Sequence, residues 1–377
     1  MAGAAVGQPA QAPQPSAEAR EAAYGIVRPM IADMGKISTP TGIETVETVR
    51  LGGMDQWISI RGMARENPVL IYVHGGPGAS EMGRSWPYQR GWEDYFTVVQ
   101  WDQRGTGKTL RLNGAKATEP TLSRKRMAED LIELIAHVRM RTGHDKVILL
   151  GHSWGNAIAM DAALAHPEWI SAYVGVGPLL EMRKSEAAVY EHVLRIAAER
   201  NDEVALKELR SIAPYPGKGD IPIASLGLVR KWVGIYGGLA AYRDNANFYF
   251  RAARVSPYFD LAERQAIDEG GLLSVTKLIS ELSDADMAGV RSVSFPTFMF
   301  VGRHDLTTPP EVTTAWLQRL KAPAKEVVWF EHSAHLAPHE EPGRFLVSLV
   351  QTVRPHAMVG QKNTRAKAPS RRAPVRP

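Results

Sequence analysis

The run KVILLGHSWGNAIAM, residues 146–160, constrains the architecture of this chain more than any other. Aliphatic residues lead into Gly151, Ser153 stands with a glycine two positions to either side, and small apolar residues follow. An apolar run of this length suits a strand buried on both faces, and the segment behind it suits a helix packed against that strand. A strand that turns straight into a helix strains the backbone at the bend. Side chains two positions away would collide there, so both places call for glycine. The bend lifts the Ser153 hydroxyl clear of the sheet and aims N–H groups of the new helix at the same space. A plainer reading, a serine capping a helix in a glycine-flanked turn, competes with this one until partners are found.

Comparable apolar runs recur at 68–76, 95–105, 171–178, 296–305 and 326–333, each closed by turn residues. Alternation in ETVETVRL and DQWISIRG (44–62) predicts a hairpin turning at Gly52-Gly53. Between the later runs lie helical patterns. Met127, Leu131, Leu134, Ile135 and Val138 share one face, and Gly143 stops that helix. Strand–helix alternation predicts an α/β fold: a mostly parallel sheet of about eight strands with helices on both faces. From about 178 to 293 the alternation gives way to amphipathic and aromatic-rich segments, predicting a helical insertion over the carboxyl ends of the strands.

The predicted organisation is a flexible segment at 1–39, a core at 40–177, the insertion at 178–293, the rest of the core at 294–354, and a disordered basic tail at 355–377. The net charge of +5 is a property of that end of the chain: from Arg354 onward there are seven basic residues and no acidic ones. The remainder is slightly negative, which argues against a nucleic-acid surface. No apolar run approaches a membrane span. With no cysteine, disulfides and thiolate chemistry are excluded, and cytoplasm and periplasm fit equally well. The Ala/Pro/Gln-rich start lacks the basic and apolar regions of a signal peptide. Nothing in the sequence reports an oligomeric state.

A serine hydroxyl is a weak nucleophile and needs a base that an acid orients. In this architecture the expected order is serine, acid, histidine. VGRHDLTTPP puts Asp305 just past a strand end, and FEHSAHLAPHEEP offers His332, His335 and His339. His335 lies in the loop beyond Ser333 and is the favoured base. Asp161 and Glu181 are weaker rivals for the acid. The glycine-rich YVHGGPGASEMG (72–83) suits an oxyanion hole, with donors assigned to the N–H groups of Gly76 and Trp154. His74 is expected to organise that loop. GTGKT echoes a phosphate-binding loop, but Asp102 stands where the motif requires glycine. Pro338 interrupts any helix that would gather the three histidines about a metal, so neither metal nor cofactor is expected.

Taken together, HGGPG (74–78), WDQRGTGKT (101–109), GHSWGN (151–156), GRHD (302–305) and SAHLAPHEEP (333–342) resemble the α/β-hydrolase superfamily, and within it the proline-iminopeptidase-like branch. The resemblance covers 40–176 and 294–353. It implies Ser153 as nucleophile, Asp305 as acid, His335 as base and the insertion as a cap. Relatives of that branch hold a peptide's free amino end with cap carboxylates. The nearest match here is ANFYF (246–250), where Ala246 takes the glutamate's place and Asp244 stands two residues earlier as a substitute.

The expected function is hydrolysis of an amide or ester through an acyl-enzyme, foremost as an aminopeptidase on a short peptide. His74, Gly75, Asp244 and Tyr249 are the candidate substrate contacts. A carboxylesterase or lactonase with an apolar cap pocket is the alternative, and a catalytically dead binding module is the alternative of another class.

Overall fold

The computed structural model describes residues 16–358. Eight strands form one sheet in the order β1-β2-β4-β3-β5-β6-β7-β8. The hairpin β1 (Ile43–Leu51) and β2 (Met54–Gly62) is antiparallel, and β2 meets β4 (Thr97–Trp101) antiparallel. From β4 onward, β3 (Val69–Val73), β5 (Val147–His152), β6 (Ile170–Val176), β7 (Thr297–Gly302) and β8 (Lys325–Phe330) run parallel. Every residue of β3, β4, β5 and β7 is buried, which is why these strands read as continuous apolar runs rather than alternating ones.

Helices cover both faces. On one, helix Arg124–Thr142 buries Met127, Leu131, Leu134, Ile135 and Val138 beside helix Gly155–Ala165. Ser123 caps the first of these, its Oγ accepting from Arg126 N at 3.1 Å, and left-handed Gly143 ends it. On the other face Trp92, Phe345, Leu349 and Val353 pack against Tyr72, Val98, Leu150 and Phe300. A buried ion pair, Arg104–Asp130 at 2.9 Å, ties the turn after β4 to helix Arg124–Thr142, and Arg104 also donates to the Gly52 carbonyl at 3.1 Å.

Between β6 and β7 the chain leaves the sheet and builds four principal helices, Met182–Glu199, Glu203–Arg210, Ile223–Ile235 and Leu261–Ser283. A capping box between Asp260 and Glu263 opens the last of them. Gly78 of the loop after β3 abuts Gly270 of that helix so closely that a Cβ would lie 2.6 Å from the Gly270 carbonyl oxygen.

The amino-terminal expectation needs correction. Part of the segment read as flexible forms helix Ala17–Gly35, with Ser16 Oγ accepting from Ala19 N. Polar ties fix it: Arg28 donates to the Arg254 carbonyl, and Glu21 pairs with both Arg28 and Arg264. Pro29 stands inside it, which argues against a helix when the sequence is read alone. The carboxyl-terminal helix likewise runs on through Arg354–Met358, within what was read as tail. The rest of the basic tail and residues 1–15 lie outside the described residues. No described helix is long and apolar enough to cross a membrane.

Candidate active site

Ser153 sits at the carboxyl end of β5 with φ of 55°, a conformation unfavourable for any residue but glycine. The packing holds it there. A Cβ at Gly155 would lie 2.1 Å from the Val73 carbonyl oxygen, and one at Gly151 would lie 2.9 Å from the Asn156 Cα. Asn156 Nδ2 donates to the Gly151 and Ser153 carbonyls at 2.9 and 3.1 Å, and Ser153 N donates to the Val176 carbonyl at 3.0 Å. The two glycines that the sequence placed about the serine are therefore steric necessities.

Asp305 follows β7 and is fully buried. Its Oδ1 accepts from the backbone N–H of Thr307 and Thr308 at 2.7 and 2.9 Å. Its Oδ2 meets His335 Nδ1 at 2.9 Å and accepts from Thr308 Oγ1, also at 2.9 Å. Four donors thus surround one carboxylate, fixing its orientation and that of the imidazole. A Cβ at Gly177 would come within 2.8 Å of His335 Nδ1 and 3.0 Å of Asp305 Oδ2, so the pair presses against the strand end beside Ser153. Ser153 Oγ makes no hydrogen bond to the ring; such contacts commonly tighten only when substrate is bound.

The loop carrying His335 is anchored from three sides. Glu340 Oε2 accepts from Ala334 N and Leu336 N, the residues flanking His335, at 3.0 and 3.1 Å. Its Oε1 accepts from Ala241 N of the insertion at 2.6 Å. His335 N donates to the Leu239 carbonyl at 3.2 Å, and His152 Nε2 lies 3.0 Å from the His335 carbonyl. Burial pushes the Glu340 carboxyl above its usual range, opposed by its three N–H donors. Burial, reinforced by the neighbouring His335, pushes His152 down to about 4, so its ring is neutral at physiological pH and donates to the carbonyl.

Gly75 and Gly76 follow β3. A Cβ on Gly75 would lie 2.8 Å from Ser153 Cβ, so the main chain of this loop passes directly over Ser153. Among the described residues, the N–H groups of Gly76 and Trp154 have no hydrogen-bond acceptor, as suits groups left for an oxyanion. His74 is enclosed, its Nδ1 3.0 Å from the Gly75 carbonyl and its Nε2 accepting from Gln103 N at 3.3 Å; burial holds it near a pKa of about 4. Its position is that of a loop organiser behind Gly75. The GTGKT segment wraps a carboxylate of the chain itself: Asp102 accepts from Lys108 N at 2.7 Å and from Ser80 Oγ.

Sequence reading missed a buried polar cluster beside this loop. Glu81 pairs with His339 at 2.7 Å and accepts from Tyr88 OH at 2.9 Å. Arg84 lies next to it, its guanidinium over the Tyr249 ring at 4.8 Å. Tyr249 in turn packs with Leu336, the neighbour of His335, and meets the His339 ring edge-on at 5.1 Å. Glu81 and Arg84 lie just beyond HGGPG, but nothing local marks their distant partners. Asp244 is not brought to this place; it is exposed and accepts from Asn245 Nδ2 at 2.7 Å. The rival acids are committed elsewhere, Asp161 to Arg124 at 2.7 Å and Glu181 to Arg319 at 2.9 Å. His332 faces Tyr242 OH at 3.4 Å.

A hydroxyl on a strained turn, an imidazole held by a buried carboxylate and two N–H donors make a constellation suited to acyl transfer. Known proteins agree with the architecture. A family profile described as "alpha/beta hydrolase fold" matches residues 68–342. The probable aminopeptidase YbaC of Bacillus subtilis strain 168 is 28% identical over 317 residues, covering 83% of this chain and 98% of its own. A proline iminopeptidase of Saccharolobus solfataricus is 23% identical, over 79% of this chain and 88% of its own. Among solved structures, proline iminopeptidase from Mycobacterium smegmatis superposes with a TM-score of 0.60 at 17% identity, over 83% of this chain and 99% of that one.

Proposed function

Since the chain belongs to the alpha/beta hydrolase fold family and is a hydrolase, we propose that it works through Ser153, His335 and Asp305, foremost as an aminopeptidase releasing the first residue of a short peptide. The observation that carries the catalytic assignment is the 2.9 Å contact of His335 Nδ1 with buried Asp305, set against the strand end next to Ser153. Ser153 Oγ attacks the carbonyl while His335 takes its proton, and Asp305 stabilises the imidazolium. The N–H groups of Gly76 and Trp154 meet the developing oxyanion. His335 then hands the proton to the leaving amine, and water repeats the sequence on the acyl-enzyme.

The aminopeptidase reading is supported by relatives named as such that align over most of this chain. One observation favours the second reading, a carboxylesterase or lactonase: Asp244, the candidate amine anchor, is exposed, and the cap's buried Glu186 is already paired with Arg230 and Tyr215. Ser153→Ala tests the mechanism. Its kcat on any substrate the wild type turns over falls about 10⁴-fold or more, and its acyl burst with p-nitrophenyl acetate disappears. An undiminished burst removes the assignment. Proline and alanine p-nitroanilides run beside short acyl esters separate the two substrate readings, since only the peptidase requires a free α-amine.

A further inference from the structure

Helix Ala17–Gly35 turns its apolar side away from the protein. Facing the body are Glu21, Tyr24, Arg28, Ile31 and Gly35, and the ties they make to Arg254 and Arg264 are polar. Ala22, Ala23, Ile26, Val27, Met30 and Met34 share the opposite side. All six are exposed, Ile26 at 73%, Met30 at 62% and Met34 at 79%. Between residues 22 and 34 the charges are inward-facing Arg28 and Asp33, which stands on the margin of this stripe. A surface helix ordinarily buries such a stripe against the core, and one left outside marks a contact surface.

A second copy of the chain and a lipid surface both fit an apolar helix face. Area disfavours the copy. A helix of 19 residues is about 28 Å long and about 10 Å wide, so two such faces pressed together bury roughly 600 Å², about half of what a stable dimer needs. Charge favours the lipid. Glu93 holds Arg61, which also donates to the Gly35 carbonyl at the end of the helix. Two residues on, the Tyr95 carbonyl accepts from Arg354 Nε at 3.1 Å, where the last described helix begins. The chain therefore passes beyond Met358 close to the carboxyl end of the apolar face. The 19 residues that follow carry six basic side chains, from Lys362 to Arg376, and no acidic one. An apolar helix face and a polybasic segment are the two signals that together hold a protein on an anionic bilayer. Beside the face there is also room for an acyl chain. A cavity of about 250 Å³ is lined by Ile31, Met34, Trp86, Pro87, Pro257 and Tyr258, and the charged groups that share it are spent, Arg61 on Glu93 and Arg90 on Asp94.

We infer that the outward face of helix Ala17–Gly35 docks on an anionic lipid bilayer, with Ile26, Met30 and Met34 entering the boundary between headgroups and acyl chains. The basic residues after Met358 engage the lipid phosphates. The chain lies on the bilayer through this helix and does not cross it there. This surface is separate from the Ser153 site and holds whichever bond the enzyme cleaves.

Flotation of the full chain with lipid vesicles tests the surface. Binding to equimolar phosphatidylglycerol and phosphatidylcholine is expected to exceed binding to phosphatidylcholine alone about 100-fold at low salt, since each basic residue near an anionic surface contributes about fivefold. Ile26→Gln/Met30→Gln removes apolar contact at unchanged charge and keeps helix propensity. Its partition onto the mixed vesicles falls about 10-fold or more, with Tm as in the wild type. If Tm drops, Met30→Gln alone decides, with a loss of about threefold expected. Changing Lys362, Arg365, Lys367, Arg371, Arg372 and Arg376 together to glutamine abolishes the preference for phosphatidylglycerol. Three results overturn the inference: no binding to the mixed vesicles, binding that the glutamine substitutions in the helix leave unchanged, or a dimer in sedimentation that those substitutions dissociate, which would give the face to a second copy.

Discussion

The carboxylates around Ser153 and those among the inserted helices draw on different mixtures of donors. Near Ser153 main-chain donors reach each of three carboxylates: Asp305 takes Thr307 N and Thr308 N, Glu340 takes Ala241 N, Ala334 N and Leu336 N, and Asp102 takes Lys108 N, with side chains adding to Asp305 and Asp102. In the inserted helices three carboxylates lean on side chains, although Asp202 also caps the main-chain N–H of Ala205. Glu186 takes Arg230 and Tyr215, Glu208 takes Lys231 and Trp232, and Asp202 takes Tyr236 OH. Main-chain donors are fixed by the fold and cost no side-chain entropy to order, which suits groups whose placement sets a reaction rate. Side-chain partners, by contrast, can be exchanged in pairs.

Two glycines make this contrast measurable. Both have positive φ, Gly177 at 44° beside the imidazole and Gly237 at 80° in the cap. A Cβ at Gly177 meets His335 Nδ1 at 2.8 Å, whereas at Gly237 the nearest atom is 3.4 Å away. Gly177→Ala is expected to displace the imidazole and lower kcat about 100-fold. Gly237→Ala carries backbone strain alone, on the order of 1 kcal/mol in urea unfolding, with kcat nearly unchanged. Similar kinetic losses in the two variants would erase the distinction between the regions.

Glu340 belongs to both regions and sharpens the comparison. A glutamine there offers one oxygen to three N–H donors and turns its own NH2 toward another. Glu340→Gln is expected to reduce kcat about 10-fold or more with little change in KM, and to move the acidic limb of the kcat/KM profile, because the base loses its fixed orientation. A uniform rise in KM with an unaltered profile would make Glu340 a cap residue only.

One effect concerns the pH dependence of stability rather than the rate. His152 has its pKa lowered from about 6.5 to about 4 by burial. Between those values the unfolded chain binds a proton that the native state refuses, so stability declines as pH falls from about 6.5 to 4. The window corresponds to on the order of 3 kcal/mol at most. His152→Gln should flatten that part of the curve of Tm against pH relative to wild type. Parallel curves would assign the acid sensitivity elsewhere, beginning with His74, which burial lowers to about 4 as well.

These contrasts also explain what could be read from the chain beforehand. The central strands of the sheet were legible because burial on both faces leaves mostly apolar residues. The Ser153 turn was legible because steric exclusion demands glycine at fixed offsets. That Asp305 and His335 meet was foreseen from their places after β7 and β8. Glu81 and His339 could not be paired, being 258 positions apart with no periodicity linking them. Helix Ala17–Gly35 escaped for a related reason: its ties run to Arg254 and Arg264, far along the chain. Asp244 shows the opposite failure, where proximity to a motif suggested a role and the exposed turn withheld it.

The single carboxylate shared by Ala241, Ala334 and Leu336 has a consequence for anyone exchanging lids among such enzymes. A transplanted insertion that fails to present an amide hydrogen where Ala241 does would leave one oxygen of residue 340 without its counterpart, and the misalignment would surface at His335 before any new ligand had been tried. Grafts should keep residues 237–241 of the recipient and begin the foreign segment beyond them.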